Sequence, residues 1–141
     1  MKITHVAGFA PIVPDLAASK RFYIETLGLP MDTADDYPMT DDIPGLRHFG
    51  LWSLAEAARS CFGTDAWPDD LPTPQGALEF DVASAGEVAE AAAELEAAGY
   101  RLLAGPREEP WGQTVARLLS PEGLLAGVTH TPWQHGAAEE G

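Results

Sequence analysis

The chain has 141 residues, of which 45% are hydrophobic and 9% aromatic. This length suits one compact domain with a real core, and so many apolar residues argue against a disordered chain. Lys and Arg total 8 against 22 Asp and Glu, so the formal net charge is −14. Because phosphate binding requires clustered basic side chains, this balance argues against nucleic acids and anionic membranes as partners.

The single cysteine and the N-terminus indicate the compartment. Cys61 can form no disulfide within the chain and no cysteine-based zinc site, which suits a reducing environment. The first residues, MKITH, begin no apolar segment of the kind found in signal peptides. No run approaches the roughly 20 apolar residues of a membrane span. We therefore expect a cytoplasmic protein.

The first half of the chain predicts a strand followed by a helix. Residues 9–13 form an apolar run, and Asp15 is suited to cap a helix because its carboxylate can accept amide protons. Apolar residues then recur at helical spacing until Gly28, which can take the positive φ of a helix end. Further strands are predicted after residue 29 and over 47–52, and a short helix over 54–59.

The second half repeats this order. Residues 77–82 alternate between apolar and acidic side chains, which is typical of a half-buried strand. Ser84 and Glu87 form a capping box ahead of a helix that Gly99 ends. Strands are predicted over 100–103, 114–119 and 124–131, the last two joined by a turn at 120–123.

Two predicted loops divide the chain into two modules, which together form a single structural domain. The segment 32–45 is acidic and contains two prolines, which predicts a solvated loop, and 67–74 is a proline-rich crossover. We predict a first module over 1–66, a linker over 67–76, a second module over 77–133 and a flexible tail over 134–141. The repeated strand, helix and glycine indicate an internal repeat of architecture.

Two stretches of this repeat resemble the vicinal oxygen chelate superfamily, which includes glyoxalase I, extradiol dioxygenases and bleomycin-resistance proteins. One stretch is PIVPDL at 11–16 with its continuation to LGL at 27–29, and the other runs from EPWGQ at 109–113 to SPEGL at 120–124. The resemblance implies an α+β fold in which two βαβββ modules form a cup-shaped mixed sheet. It also implies a homodimer, and the chain is most similar to the bleomycin-resistance branch.

The enzymes of this superfamily hold a divalent metal with His and Glu side chains of the cup. Carried onto this chain, three of the ligand positions fall on Gly8, Ala77 and Gly127, none of which can coordinate a metal. Glu56 lies in the region of the remaining ligand, and one carboxylate alone holds a divalent ion weakly. We therefore predict no metal and no other cofactor.

Small residues at these positions leave room for a bulky ligand instead. If Ala77 faces the cup, Glu79 and Asp81 do too, because side chains alternate along a strand. A carboxylate there requires water, a basic partner such as Arg47 or Arg117, or a cationic ligand. Tryptophans in loops can form a stacking site for a flat ligand. The predicted ligand-binding residues are Trp111, Glu79, Trp67, Trp52, Phe49, His48, Leu125 and Gln113.

Two functions remain open. The first is a non-catalytic protein that sequesters a hydrophobic or aromatic natural product or antibiotic, as in self-resistance. The alternative is an enzyme of the same fold, either with displaced metal ligands or with metal-free acid–base catalysis by Glu79 or His48. The sequence predicts a hydrophobic or aromatic small molecule as the partner in the first case.

Overall fold

A computed structural model of the chain describes residues 1–135. The first half begins with strand β1 (His5–Val13) and helix α1 (Leu16–Lys20), which continues as a π-helical turn over Arg21–Thr26. Three short strands follow, β2 (Met39–Thr40), β3 (Phe49–Gly50) and β4 (Trp52–Ser53), and then helix α2 (Leu54–Phe62). Asp15 caps α1 as predicted, because its Oδ1 accepts the Ala18 amide proton at 3.0 Å.

The second half is more regular. It consists of β5 (Gly76–Asp81), α3 (Ala85–Ala97), β6 (Ala104–Glu108), β7 (Thr114–Leu119) and β8 (Leu125–His130). Ser84 Oγ accepts the Glu87 amide proton at 3.3 Å and caps α3. A short 3₁₀ helix, Pro132–Gln134, follows β8.

The strands form one eight-stranded mixed sheet, which confirms the predicted α+β fold. The strand order is β2-β3-β1-β5-β8-β7-β6, and β4 also pairs with β1. Within each half, the first strand pairs in parallel with a later strand of the same half, β1 with β3 and β4, and β5 with β8. The antiparallel pair of β1 and β5 joins the two halves at the centre of the sheet.

Three details differ from the sequence-based prediction. The strand predicted over 47–52 is interrupted at Leu51, whose amide bonds to the Pro38 carbonyl in the neighbouring loop instead of continuing a ladder. The strand predicted over 100–103 is wrong, because the Tyr100 amide still bonds to the Leu95 carbonyl at the end of α3. The first bond to β7 is made by the Leu103 amide, and strand β6 begins at Ala104. The helix predicted over 54–59 is present and extends to Phe62.

Two clusters of buried side chains form the core. The larger lies between α2 and the sheet and includes Ile12, Trp52, Trp67 and Leu125, and the smaller packs α3 on the second half. Cys61 belongs to the larger cluster, and burial raises the pKa of its thiol to about 11. The thiol is therefore protonated at neutral pH and is a poor nucleophile.

The chain beyond β8 turns back onto the sheet. The Gln134 side-chain amide donates to the Ala7 carbonyl at 2.9 Å, so this residue, predicted to begin a flexible tail, is fixed to β1. The rest of that predicted tail, 136–141, lies outside the described residues. Within residues 1–135, no helix is long and apolar enough to cross a membrane.

Candidate functional site

A cavity of about 510 Å³ opens beside strands β1 and β5 of the sheet. This volume lies in the range of small-molecule sites, roughly 300–1,000 Å³. Gly8, Ala10, Ala77 and Glu79 line it, as predicted from the alternation along the strands. The prediction that Asp81 also faces the cavity is wrong, because Asp81 is fully buried beside β8 and accepts hydrogen bonds from threonines there. The complete lining consists of Ala7, Gly8, Phe9, Ala10, Tyr37, Met39, Asp41, His48, Trp52, Glu56, Ala77, Glu79, Trp111, Gln113, Arg117, Thr131, Trp133 and Gln134.

A buried ion pair forms the polar floor of the cavity. Arg117 Nη1 donates to Glu79 Oε2 at 2.8 Å, and Gln113 Nε2 donates to the other carboxylate oxygen at 3.1 Å. The Arg117 side chain is 1% exposed and the Glu79 side chain 18%. Of the two basic partners predicted for Glu79, Arg47 and Arg117, it is therefore Arg117 that forms the ion pair. Arg47 instead donates to the Gln134 carbonyl at 2.8 Å.

The strand register explains why the two charges meet. Gly8, Glu79 and Gly127 are partners across β1, β5 and β8, and Arg117 on β7 is the next partner in the same row. A Cβ on Gly127 would lie 3.5 Å from both Arg117 Nη1 and Glu79 Cγ. Both distances are ordinary van der Waals contacts, so the ion pair lies directly over Gly127. The Arg117 Cζ also lies 4.9 Å from the centre of the Trp52 ring.

A hydrogen-bonded chain of Asp41, His48 and Tyr37 forms a second side of the cavity. Asp41 Oδ1 lies 2.7 Å from His48 Nδ1, and His48 Nε2 lies 2.6 Å from the Tyr37 hydroxyl. Because a carboxylate only accepts, the neutral ring carries its proton on Nδ1 and accepts the phenol proton at Nε2. Burial, and then the nearby Glu79 carboxylate, raise the pKa of Tyr37 above its usual range.

Glycines make room for this chain as well. A Cβ on Gly50 would overlap the Tyr37 hydroxyl, so any side chain at position 50 would force the Tyr37 ring to move. A Cβ on Gly8 would lie 3.0 Å from the His48 carbonyl oxygen and 3.2 Å from the Cβ of His48. His48 therefore occupies part of the space over β1 that a larger residue at position 8 would fill.

Two half-exposed tryptophans line the cavity, Trp111 at 49% exposure and Trp133 at 55%. Trp111 lies in the turn between β6 and β7, and its Nε1 donates to Gln113 Oε1 at 3.0 Å. Gln113 is itself buried and also donates to Thr131 Oγ1 at 2.8 Å. The polar floor thus holds the indole nitrogen of Trp111, while about half of this residue remains exposed.

The structure brings together five of the predicted site residues and places three elsewhere. Trp111, Glu79, Trp52, His48 and Gln113 all line the cavity. Trp67 is buried against Phe62, and its Nε1 donates to the Pro72 carbonyl at 2.9 Å. Although Trp67 lies in a loop, its ring is therefore not available to a ligand in the cavity. Phe49 packs against Tyr23, and Leu125 is fully buried in the larger core cluster.

Sequence reasoning missed Tyr37 and Asp41. Both belong to the acidic segment 32–45 that the sequence predicted to be a solvated loop, and both line the cavity. The bridge between Asp32 and Met39 and the short strand β2 fold this segment back over the sheet. A tyrosine inside an acidic segment was the available signal, because an aromatic ring in a solvated loop has no partner to bury it.

Comparison with known proteins now identifies the fold family. The family model described as the glyoxalase/bleomycin resistance protein/dioxygenase superfamily matches residues 2–128. The chain belongs to this superfamily. No curated protein sequence matches the chain.

Solved structures of the superfamily fold resemble the chain at low sequence identity. A superfamily member from Vibrio splendidus 12B01 is 15% identical with a TM-score of 0.57, covering 88% of this chain and 97% of that one. The Mn(II)-bound glyoxalase from Novosphingobium aromaticivorans is 22% identical with a TM-score of 0.60, covering 92% and 39%. Methylmalonyl-CoA epimerase from Streptomyces coelicolor is 18% identical with a TM-score of 0.53, covering 93% and 99%.

The divalent metal that the superfamily's enzymes use does not fit this cup. Three of the positions expected to hold it are Gly8, Ala77 and Gly127, which carry no donor side chain. Glu56, in the region of the remaining position, lines the cavity, but one carboxylate alone holds a divalent ion weakly. The Arg117 guanidinium lies over Gly127, so a cation placed there would face a fixed positive charge. Glu79 is already engaged by Arg117 and Gln113. The negative charge of Glu79 on the floor of the cavity is therefore neutralised by Arg117.

Proposed function

We propose that this superfamily member binds and sequesters a flat, hydrophobic or aromatic small molecule in the cavity, without catalysis. The observation that carries the proposal is the pair of half-exposed tryptophans, Trp111 and Trp133, on a cavity of about 510 Å³. Large aromatic rings left uncovered at a cavity favour ligands that can stack on them. Such sequestration is the self-resistance role of the bleomycin-resistance branch.

The charges around the cavity favour a neutral or cationic ligand. Asp41, Glu56 and Glu79 line it, and Arg117 is the basic side chain among them. Because Arg117 is already paired with Glu79, the remaining carboxylates leave a net negative potential. An anionic ligand would be repelled by the same groups, and by the chain's net charge of −14 at longer range.

A binding screen tests the proposal. Purified protein is titrated with bleomycins, mitomycins, quinoxalines and enediynes while tryptophan fluorescence and its quenching by iodide are followed. We expect at least one compound to bind with micromolar or tighter affinity and to shield tryptophan from iodide, because Trp111 and Trp133 are the exposed pair while Trp52 and Trp67 are each 8% exposed. Binding no tighter than millimolar across the panel would contradict it.

The hydrogen-bonded chain of Asp41, His48 and Tyr37 favours a second candidate function, metal-free proton transfer to or from a bound substrate. Asp41 fixes the tautomer of His48, and His48 Nε2 is positioned to take the phenol proton. The raised pKa of Tyr37 means that the phenol holds its proton at neutral pH, so it would donate to a ligand oxygen only by giving up its hydrogen bond to His48 Nε2. The chemistry available is an isomerisation or epimerisation of a weakly acidic C–H group.

Mass analysis of the bound compound separates the two candidates. Each compound that binds is incubated with the protein in deuterated water and recovered by liquid chromatography with mass detection. Sequestration predicts an unchanged compound, because no step exchanges its C–H protons. Deuterium incorporation that disappears in Tyr37→Phe and in His48→Gln would favour the enzyme instead.

We also propose a homodimer in a reducing compartment such as the cytoplasm. An apolar groove of about 390 Å³ lies at Ile3, Phe80, Tyr100 and Leu118, and Ile3 and Tyr100 are 41% and 47% exposed. A second copy would cover such a surface. Light scattering during gel filtration should give about twice the 15.0 kDa of one chain. A single-chain mass at micromolar concentration would contradict this proposal.

A further inference from the structure

Three of the four histidines in the chain gather around one buried carboxylate, outside the cavity lining. Asp81 ends strand β5 and is fully buried, and His135 Nε2 lies 2.6 Å from its Oδ2. His5 Nε2 lies 3.9 Å from the same oxygen. The His130 and His135 rings are 4.5 Å apart, centre to centre. One ligand atom each from Asp81, His130 and His135 all lie within 4.8 Å of one another.

We propose that Asp81, His130 and His135 form a binding site for a transition-metal ion of the Zn²⁺ class. Imidazole nitrogens with one carboxylate oxygen are a donor set that suits Zn²⁺, Ni²⁺ and Cu²⁺. His5 Nε2 is bonded to Gln134 Oε1 at 2.9 Å and is not one of the three ligands, so a water molecule would complete four-coordination. The site differs in position and residues from the metal positions that the superfamily resemblance implies in the cup.

The surroundings of these side chains match what a metal site requires. Thr129 and Thr131 hydroxyls donate to Asp81 Oδ1 at 2.7 and 2.9 Å, and the Thr131 amide donates to Oδ2 at 3.1 Å. These bonds hold the carboxylate with Oδ2 beside His135 Nε2. His130 Nδ1 lies 2.9 Å from the Val82 carbonyl, and this acceptor places the ring proton on Nδ1. Its Nε2 therefore carries the lone pair. Ligating histidines in proteins are commonly oriented by such a carbonyl.

The spacing needs only a small adjustment to accept an ion. Two donors that each lie about 2.1 Å from a tetrahedral zinc are about 3.4 Å apart. His135 Nε2 and Asp81 Oδ2 are 2.6 Å apart, so they would have to separate by about 0.8 Å to reach this spacing. His135 follows the 3₁₀ helix that carries Trp133, so a bound ion would fasten this cavity-lining segment to strands β5 and β8.

Calorimetric titration of untagged, EDTA-treated protein with ZnCl₂ and with NiCl₂ tests the site. We expect one ion per chain, with at least a tenfold loss of affinity in His130→Gln and in His135→Gln. The amide keeps a hydrogen-bonding group in each variant, and circular dichroism checks that the fold is retained. His48→Gln is the matched control, because it removes the one histidine outside the cluster and should leave the affinity for the ion unchanged.

A spectroscopic measurement gives a second readout. Co²⁺ added to the same apoprotein should produce the visible bands of a four-coordinate ion, and these bands should be lost in His130→Gln. Absence of saturable Zn²⁺ and Ni²⁺ binding to the unmodified chain would overturn the proposal. So would affinity that is unchanged in both cluster variants or that falls in His48→Gln instead.

Discussion

Trp111→Ala is expected to weaken binding of an aromatic ligand at least tenfold while leaving the protein folded. The ring is 49% exposed and lines the cavity, so its face is available to the ligand and little of it supports the core. Truncating a central aromatic residue of a binding site commonly costs about 2 kcal/mol or more, which is roughly a 30-fold change in affinity. Calorimetry with the tightest compound of the screen measures the effect.

The same substitution should change the stability only slightly. It removes one hydrogen bond, from Trp111 Nε1 to Gln113, which is worth about 1 kcal/mol in proteins. Phe22→Ala is the control, because Phe22 is 53% exposed and lies outside the cavity lining. Equal affinities in Trp111→Ala and in the unmodified chain would remove Trp111 from the binding site.

Glu79→Gln is expected to lower the free energy of unfolding by about 3 kcal/mol, because removing one partner of a buried ion pair leaves the other charge uncompensated. Arg117 would remain 1% exposed without a counter-charge at 2.8 Å. Its Nε is already buried without a hydrogen-bond partner among the described residues, so the guanidinium has little other compensation. Urea unfolding followed by circular dichroism measures the loss.

Two further variants isolate the cause. The double variant Glu79→Gln with Arg117→Met should recover most of the lost stability, because an apolar side chain of similar length needs no counter-charge. Asp65→Asn should have little or no effect, since the pair of Arg59 and Asp65 is exposed to solvent. A Glu79→Gln protein as stable as Asp65→Asn would show that the ion pair does not hold the floor together.

The fold was predictable because its signals are local and repeated. Asp15 and Ser84 cap their helices through their own side chains, and the alternation over 77–82 fixes which side chains of β5 face the cup. The short strands β2, β3 and β4 gave weaker signals, because each has two residues and depends on the loops around it.

The site was only partly predictable, because its key contacts join residues far apart in sequence. The pairing of Glu79 with Arg117 depends on the register of three strands, which composition alone does not reveal. Trp67 was predicted to bind the ligand because it lies in a proline-rich loop, but its ring is buried against Phe62. Tyr37 was hidden by the acidic residues around it.

Sequestration without catalysis is tested by calorimetric titration of the unmodified chain with the antibiotic panel, followed by recovery of each bound compound for mass analysis. Sequestration in the tryptophan-lined cavity predicts saturable binding of one planar compound per chain with micromolar or tighter affinity, and recovery of that compound unchanged. Affinities no tighter than millimolar throughout the panel, or recovery of a chemically altered compound, would contradict it.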